Sequence, residues 1–529
     1  MPTLEWIGKE KVVNHHLEVP YRVLERQYSF DENGRHDEDN GSDNKIIHGD
    51  NLEALKSLLP QYEGQVKCIY IDPPYNTGNE GWVYNDNVND PHIKAWLNKT
   101  VGKEGEDLSR HDKWLCMMYP RLKLLQKLLA EDGAIFISID DNEASALRLI
   151  CNEIFGENNF ITNIIWHKNY APKSSAKHFS EDHDYIIVFA KNSNIWVPHM
   201  MARTEKQNSL YKNPDNDPRG PWMSDNLSAR NPYSLGMYSI KCPSGRIIDG
   251  PPSGRYWVIS EDKFHAYDQE GRIYWTKGGD GTPRIKRYLA EVSDGIVPQT
   301  LWEYDDVGHT QDAKKEIKQI FGGDMPFSTP KPYRLIERIL QIASDPDSII
   351  LDSFAGSGTT AHAVLNRNKA DGGHRKFILV EMGDYADSIT AERVKRVIHG
   401  YGEGKNAVPG TGGSFSYYEL GEPLMIGDVL NEGVGVEKIR EYVYFTDTKT
   451  QLPEAHPDEP YFMGVHVNSA YYFYYEKQSV TTLNRQFLHT VKTKADAYVI
   501  YADLCTLGEA ELEKYHITFK KIPRDITKL

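Results

Sequence analysis

The sequence predicts an α/β fold in which a mostly parallel sheet with an antiparallel edge is interrupted by an inserted domain and followed by a small α/β module. Three observations carry this. Short apolar strands alternate with amphipathic helices over residues 44–191, the pattern of a parallel sheet covered by helices. The same texture returns at Ser328 after a long stretch of another kind. Two unusual turns, Asp72-Pro73-Pro74-Tyr75 and Phe354-Ala355-Gly356-Ser357-Gly358, each close a predicted strand. The carboxyl ends of strands are where open α/β sheets bind their ligands.

At 529 residues the chain exceeds one ordinary core, and its length suggests about three domains. Charged residues at 26% and hydrophobic ones at 39% fit a soluble globular protein. No apolar run approaches the ~20 residues that span a bilayer. The start, MPTLEWIGKEK, lacks the apolar segment of a signal peptide. No membrane partner is expected, and the cysteine usage fits a reducing cytoplasm. Cys68, Cys116, Cys151, Cys242 and Cys505 are scattered without a C-x-x-C pair. That usage predicts neither a disulfide framework nor a thiolate zinc site, and no other metal-ligand spacing is seen. The net charge of -15 is unevenly spread. Residues 161–290 hold 18 Lys and Arg against 13 Asp and Glu, a net of +5 that leaves -20 for the remainder. A local field of that sign permits a nucleic-acid partner without requiring one.

Residues 1–43 form an N-terminal extension that ends in FDENGRHDEDNGSDNK, an acidic, Gly- and Asn-rich run expected as an exposed linker. Lys45–Asp50 reads as a short strand. Asp50 suits the cap of the following helix, whose Leu52, Leu55, Leu58 and Leu59 share one face; at a strand end it is also placed to reach a ligand. Val66–Ile71 is a buried strand that the two prolines must stop, because they remove two donors and fix two φ angles. An acid and an aromatic are so held at a sheet rim. Asp72 and an exposed carbonyl there suit the two N–H groups of an amino substituent, and Tyr75 suits the face of a planar ring. The plainer alternative is a strand with a Pro-terminated turn. The polar segment 78–112 is too long for a simple connection and is expected to be functional or mobile. Helix, strand, helix and a pair of strands, ITNIIWHK and DYIIVFAK, complete this half.

From about Asn192 to Phe327 Pro, Gly, Tyr and Trp accumulate around short strand-like pieces, as in a mostly β or irregular insertion. Its Arg230, Tyr233, Arg246, Arg255, Tyr256, Arg284, Lys286 and Arg287 suit a nucleic-acid surface, and equally a solvated surface over a small aromatic core. Beyond it, STPKPYRLIERILQIAS is a helix and DSIILDSFAGSGTTAHAVLNRN is strand, Gly-rich turn and helix, with Asp352 ending the strand and Thr359 starting the helix. RKFILVE is a further strand ending in Glu381, a carboxylate suited to a ribose diol. The set points to an adenosine-containing cofactor. No phosphate loop of the G-x-x-x-x-G-K-[ST] kind is present, and the turn lacks the full G-x-G-x-x-G of a dinucleotide site. Residues 401–529 give a Gly-rich connector and a small α/β module with a structural or interaction role.

The pairing of D-P-P-Y with F-A-G-S-G, in that order around a variable region, resembles amino-methylating DNA methyltransferases of the β class. IIHGDNLEAL, DPPYNTGNE, LLAEDGAIFISIDDNE, DHDYIIVFAKN and TPKP are similar in detail to the modification (Mod) subunits of type III restriction-modification systems. The resemblance covers roughly residues 44–191 and 325–390. It implies a Rossmann-like, S-adenosylmethionine-dependent methyltransferase sheet assembled from two halves. A catalytic half (44–191) would bind the target base and a cofactor half (327–400) the methyl donor. Between them would lie an inserted target-recognition domain (192–326), and after them a C-terminal domain (401–529). By the same carry-over Asp72, Pro73, Pro74 and Tyr75 are catalytic. Phe354, Gly356, Gly358 and Thr359 hold the cofactor with Asp352 nearby, Glu381 takes its ribose, Asp50 lies near its adenine, and Lys331 stands where the cofactor helix begins. The Asp at 72 favours adenine N6 over cytosine N4. Double-stranded DNA is the implied partner, with a homodimer and a helicase-nuclease restriction subunit as further partners. A solitary or other phage-defence methyltransferase, or a non-catalytic DNA-binding subunit, is the alternative.

Overall fold

In the computed structural model, which describes residues 3–77, 110–292 and 295–524, eleven strands form one sheet. They are β1 (Arg22–Asp31), β2 (Gly34–His36), β3 (Lys45–His48), β4 (Val66–Ile71), β5 (Leu129–Ile139), β6 (Phe160–His167), β7 (His183–Ala190), β8 (Leu301–Trp302), β9 (Ile349–Asp352), β10 (Lys376–Glu381) and β11 (Phe415–Pro423). Their order is β8-β6-β7-β5-β4-β9-β10-β3-β11-β1-β2. The run from β5 to β11 is parallel throughout, with antiparallel pairs toward both edges. Strands β4 and β9 are buried on both faces, which is why they read as unbroken apolar runs rather than alternating ones. The core under this sheet gathers Leu52, Leu55, Leu58 and Leu59 from the helix Asn51–Tyr62 and Trp114, Met117 and Leu125 from the helix Arg110–Leu128.

Two features depart from expectation. The acidic run after Phe30 is not all linker: Phe30 pairs with Arg35 and Asp31 with Gly34 in a hairpin of β1 and β2. Asn33-Gly34 is the strongest short hairpin signal, and Gly34 takes φ 108°. Phe415–Pro423, expected within the separate C-terminal part, is a strand of the main sheet between β3 and β1. The long polar segment expected after Tyr75 lies, but for its last three residues, outside the described residues.

The topology fixes where a ligand can sit. Strands β4 and β9 are neighbours, Leu351 beside Ile69. From β9 the chain passes through the helix Thr359–Asp371 to β10 on one side; from β4 it goes to β5 on the other. Neighbouring parallel strands whose connections part in opposite directions leave a crevice at their carboxyl ends. Both signature turns stand there.

Residues His199–Pro298 are a compact unit of their own, narrower than the insertion expected at 192–326, and the rest of the chain is the other. The smaller unit has a three-stranded antiparallel sheet of Trp222–Asn226, Pro283–Tyr288 and Ile273–Trp275 over a core of Leu227, Trp257 and Phe264. Lys286, expected among its surface cations, is instead buried against Asp215 at 2.5 Å and Asp217 at 3.0 Å. Near the carboxyl end, Phe462–His466, Ser469–Phe473, Ala497–Ala502 and Ile517–Lys521 make a four-stranded mixed sheet, with Tyr471 and Phe473 facing one apolar cluster and Ala470 and Tyr472 the other. No helix among the described residues is long and apolar enough to cross a membrane.

Candidate functional site

A cleft of about 560 Å³ opens at the switch point, within the size range of ligand pockets, and both signature turns line it. Asp72, Pro73, Pro74 and Tyr75 form one wall; Asp352, Phe354, Gly356, Ser357 and Thr359 form the other. Residues nearly three hundred positions apart thus share one space.

The Pro-Pro wall is held rigidly from below. The Pro74 carbonyl accepts from Trp114 Nε1 at 2.7 Å, and Trp114 is fully buried. After Tyr75 the chain turns through Asn76 at φ 60°, a left-handed conformation that asparagine tolerates better than most residues. Its amide donates to the buried carboxylate of Glu143, which also pairs with His111 at 2.7 Å. Asp72 is left facing the cleft. Lys331 bonds its Oδ2, while its Oδ1 is buried with no partner. A buried acceptor in that condition carries a desolvation cost that a donor-bearing ligand would relieve. Tyr75 is half-buried, its hydroxyl 3.4 Å from Asp184 and its ring 5.0 Å from the Lys331 ammonium. Burial pushes that hydroxyl well above its ordinary pKa, with Asp184 and Asp72 adding to the effect.

The Gly-rich wall is tied by carboxylates. Asp352, 2% exposed, takes the Phe354 N–H at 3.0 Å on one oxygen and the Thr360 hydroxyl at 2.5 Å on the other. Burial, with Asp72 and Glu381 nearby, pushes its carboxyl up to about 7. Glu381 accepts from Gly356 N at 2.7 Å, and from Gly383 N and the Tyr385 hydroxyl at 2.9 Å each. Gly356 sits at φ 52° and Gly358 at φ 80°, so the turn needs glycine at both places. Thr359 opens the helix and its hydroxyl faces the Lys331 carbonyl at 3.4 Å.

Three placements bear on the sequence expectations. Asp50 accepts from Leu52 N at 2.8 Å and Glu53 N at 3.3 Å as a helix cap, lies 3.5 Å from buried Arg121, and is not among the cleft-lining residues. Lys331, expected where the cofactor helix begins, touches both walls, its carbonyl facing Thr359 and its ammonium pairing with Asp72. Glu381 stands behind the Gly-rich turn rather than in the cleft wall.

Sequence reasoning missed four contributors. Asn51 donates to the Ser353 carbonyl at 3.1 Å, tying the first half to the Gly-rich turn. Arg393, fully buried, donates to Ser357 at 2.9 Å and Thr359 at 2.8 Å and braces that turn from behind. Its signal was a cation on the apolar face of ERVKRVIH, beside Val394 and Val397. Lys168 and Asp184 line the cleft as an ion pair; Asp184 stands out only as an acid opening an otherwise apolar strand. Among the described residues, no group of three or more His, Cys, Asp and Glu is arranged to hold a metal ion.

Comparison with known proteins gives consistent neighbours. Residues 66–392 match the N6_N4_Mtase family model, described as DNA methylase. The chain is 37% identical over 390 residues to the type III restriction-modification enzyme StyLTI Mod subunit of Salmonella typhimurium, a match that covers 68% of this chain and 58% of that one. It is 31% identical to the EcoPI Mod subunit of Escherichia phage P1, over 72% and 63% of the two chains. It is 32% identical to the type II methyltransferase M.KpnI of Klebsiella pneumoniae, over 64% and 80%. The chain therefore spans about three fifths of the Mod relatives' length and four fifths of M.KpnI.

Proposed function

The chain belongs to the N6/N4 DNA methylase family, and from that premise we propose that it methylates the N6 amino group of an adenine flipped out of duplex DNA, at a specific sequence, with S-adenosylmethionine as donor. The observation that carries this is the single cleft bounded by Asp72–Tyr75 on one side and Phe354–Thr359 on the other.

The residues present fit that donor. The left-handed Gly356 bares backbone on the cleft wall, Gly358 lets the turn close against Thr390, and Phe354 adds an apolar surface. Glu381, behind the turn, accepts from Gly356 N and so fixes the backbone that would meet the donor. In this reading Asp50 serves as a helix cap and Lys331 belongs to the base side. When bound, S-adenosylmethionine supplies a methyl group on a sulfonium, already a good leaving group.

What remains falls to the protein. Extruding a base costs a few kcal/mol, of which stacking on Tyr75 returns about 1–3 kcal/mol. Asp72 Oδ1 accepts one amino hydrogen and the Pro73 carbonyl the other, which turns the nitrogen lone pair toward the Gly-rich wall. Asp72 then takes the proton the amino group sheds. Alignment of nucleophile and methyl is the main catalytic device. The unit His199–Pro298 is read as the target-recognition domain. The protein works in the cytoplasm as a homodimer, and with a helicase-nuclease partner as the modification subunit of a type III-like system.

Tritiated methyl transfer to mixed-sequence DNA tests the chemistry: incorporation by the wild type and none by Asp72→Ala is expected. No incorporation by the wild type would make the chain a recognition subunit only. Methylome sequencing of expressing cells should report N6-methyladenine within one motif. A second reading keeps the chemistry without a restriction partner; a helicase-nuclease gene beside this one would decide against it.

A further inference from the structure

The cleft holds an ion pair between half-buried Lys168 and buried Asp184 that the methyl-transfer chemistry leaves unused. Lys168 directly follows β6 and Asp184 lies at the start of β7, and the pairing of Trp166 with Asp184 and His167 with His183 sets them side by side. Asp184 is 3% exposed. Its Oδ1 lies 2.5 Å from the Lys168 ammonium, and its Oδ2 receives the Tyr75 hydroxyl at 3.4 Å. The lysine backbone is clamped as well: its N–H donates to Asp182 O at 2.9 Å, and its carbonyl accepts from Thr310 N at 3.0 Å and Thr310 Oγ1 at 3.1 Å. With its backbone clamped and its ammonium paired with Asp184, Lys168 brings a cation to the lining of the cleft beside that carboxylate. An ammonium has three donors, and Asp184 uses one.

The position of that place is set by Tyr75. Asp184 bridges the hydroxyl end of the ring to the ammonium, so Lys168 stands beyond the edge of anything stacked on the ring. A base whose amino group meets Asp72 presents a ring nitrogen on either side of that group, N1 and N7 in adenine. Both are acceptors that Asp72, Asp140 and Asp184 cannot serve; of the cations lining the cleft with them, Lys331 is held on Asp72, and Lys168 is the one joined through Asp184 to the Tyr75 hydroxyl. Resting on the methyltransferase reading above, we propose that Lys168, oriented by Asp184, donates a hydrogen bond to the ring nitrogen flanking the target amino group and so recognises the edge of the flipped base. Lys168 would be a substrate-contacting residue, and Asp184 a positioning residue acting through it and through Tyr75.

The test uses the full-length protein and duplexes carrying its mapped site, with the target adenine replaced by 1-deazaadenine or 7-deazaadenine. Each lacks one ring acceptor and keeps the amino group. The wild type should methylate one analogue about 10- to 100-fold more slowly than adenine, the worth of a charge-assisted hydrogen bond, and the other at a rate near that of adenine. Lys168→Met should slow adenine by a similar factor and erase the difference between adenine and the sensitive analogue. Two results overturn the proposal: both analogues methylated as fast as adenine by the wild type, or a Lys168→Met variant that slows adenine and the analogues in proportion, as a merely structural pair would. Both are read against adenine duplexes that the wild type does methylate, so they are distinct from a failure of the methyltransferase reading, in which no duplex is labelled at all.

Discussion

The helix Thr359–Asp371 is bounded by two left-handed glycines, Gly358 at φ 80° and Gly372 at φ 70°, and replacing each by alanine separates two costs. A Cβ on Gly372 meets nothing within 4 Å, so Gly372→Ala should cost only the left-handed penalty, about 1–2 kcal/mol. A Cβ on Gly358 would lie 2.9 Å from the Thr390 carbonyl oxygen and 3.5 Å from Thr390 Cγ2. Forcing such an overlap adds about 1–3 kcal/mol. Thr390 has little room to retreat, because its hydroxyl donates to the Gly356 carbonyl at 2.6 Å; moving it drags the Gly-rich turn. Gly358→Ala should therefore lose about 2–5 kcal/mol and bind S-adenosylmethionine poorly, while Gly372→Ala binds it normally. Urea unfolding followed by tryptophan fluorescence gives the first comparison and isothermal titration the second. Equal losses at the two positions, with cofactor affinity unchanged in both, would refute this placement of the turn.

Asp72→Ala should leave cofactor binding nearly intact and abolish transfer, whereas Gly356→Val should prevent cofactor binding; calorimetry and methyl incorporation showing the reverse would mean the two halves were assigned wrongly. Arg393→Met should destabilise the protein by about 3 kcal/mol, since it strips a fully buried cation from Ser357, Thr359 and His362 and leaves buried polar groups without partners. A loss below about 1 kcal/mol in denaturant titration would contradict it. Asp352 carries a carboxyl raised to about 7, mainly by burial. A carboxyl raised above its unfolded value contributes stability in full below about pH 4 and loses it as pH climbs through about 7. Asp352→Asn cannot ionise, so its stability relative to wild type should rise between pH 4 and pH 8. A difference that stays flat across denaturation curves in that range would show that Asp352 titrates normally.

Much of the sheet was legible because its signals are local. Val66–Ile71 and Ile349–Asp352 are apolar runs stopped by residues that cannot continue a strand, and the glycines of the second turn are needed where φ is positive. What stayed hidden was pairing at long range. Nothing near Phe415 in sequence shows that it will pair with Phe30, and the Gly-rich connector before it suggested a boundary. The site behaves in the same way. Asp72 and Gly356 announce themselves by spacing and by strand context, while Lys331, Asn51 and Arg393 matter through partners 259, 302 and 36 positions away. A lysine in T-P-K-P carries no mark of the carboxylate it will meet.

The acidity of the cleft then has a physical reading. Asp72, Asp140, Asp184 and Asp352 all line it, a poor surface for phosphate. Burial pushes the carboxyls of Asp140, Asp184 and Asp352 upward, and Lys168 and Lys331 offset Asp184 and Asp72. Such a pocket, with its carboxyls raised or paired, suits a neutral ring carrying hydrogen-bond donors, and attraction to the polyanion is expected from elsewhere on the chain. Raising the salt concentration should weaken DNA binding steeply while leaving the rate of methyl transfer at saturating DNA nearly unchanged. A transfer rate that fell in parallel with binding would place phosphate contacts inside the catalytic step and contradict this division of labour.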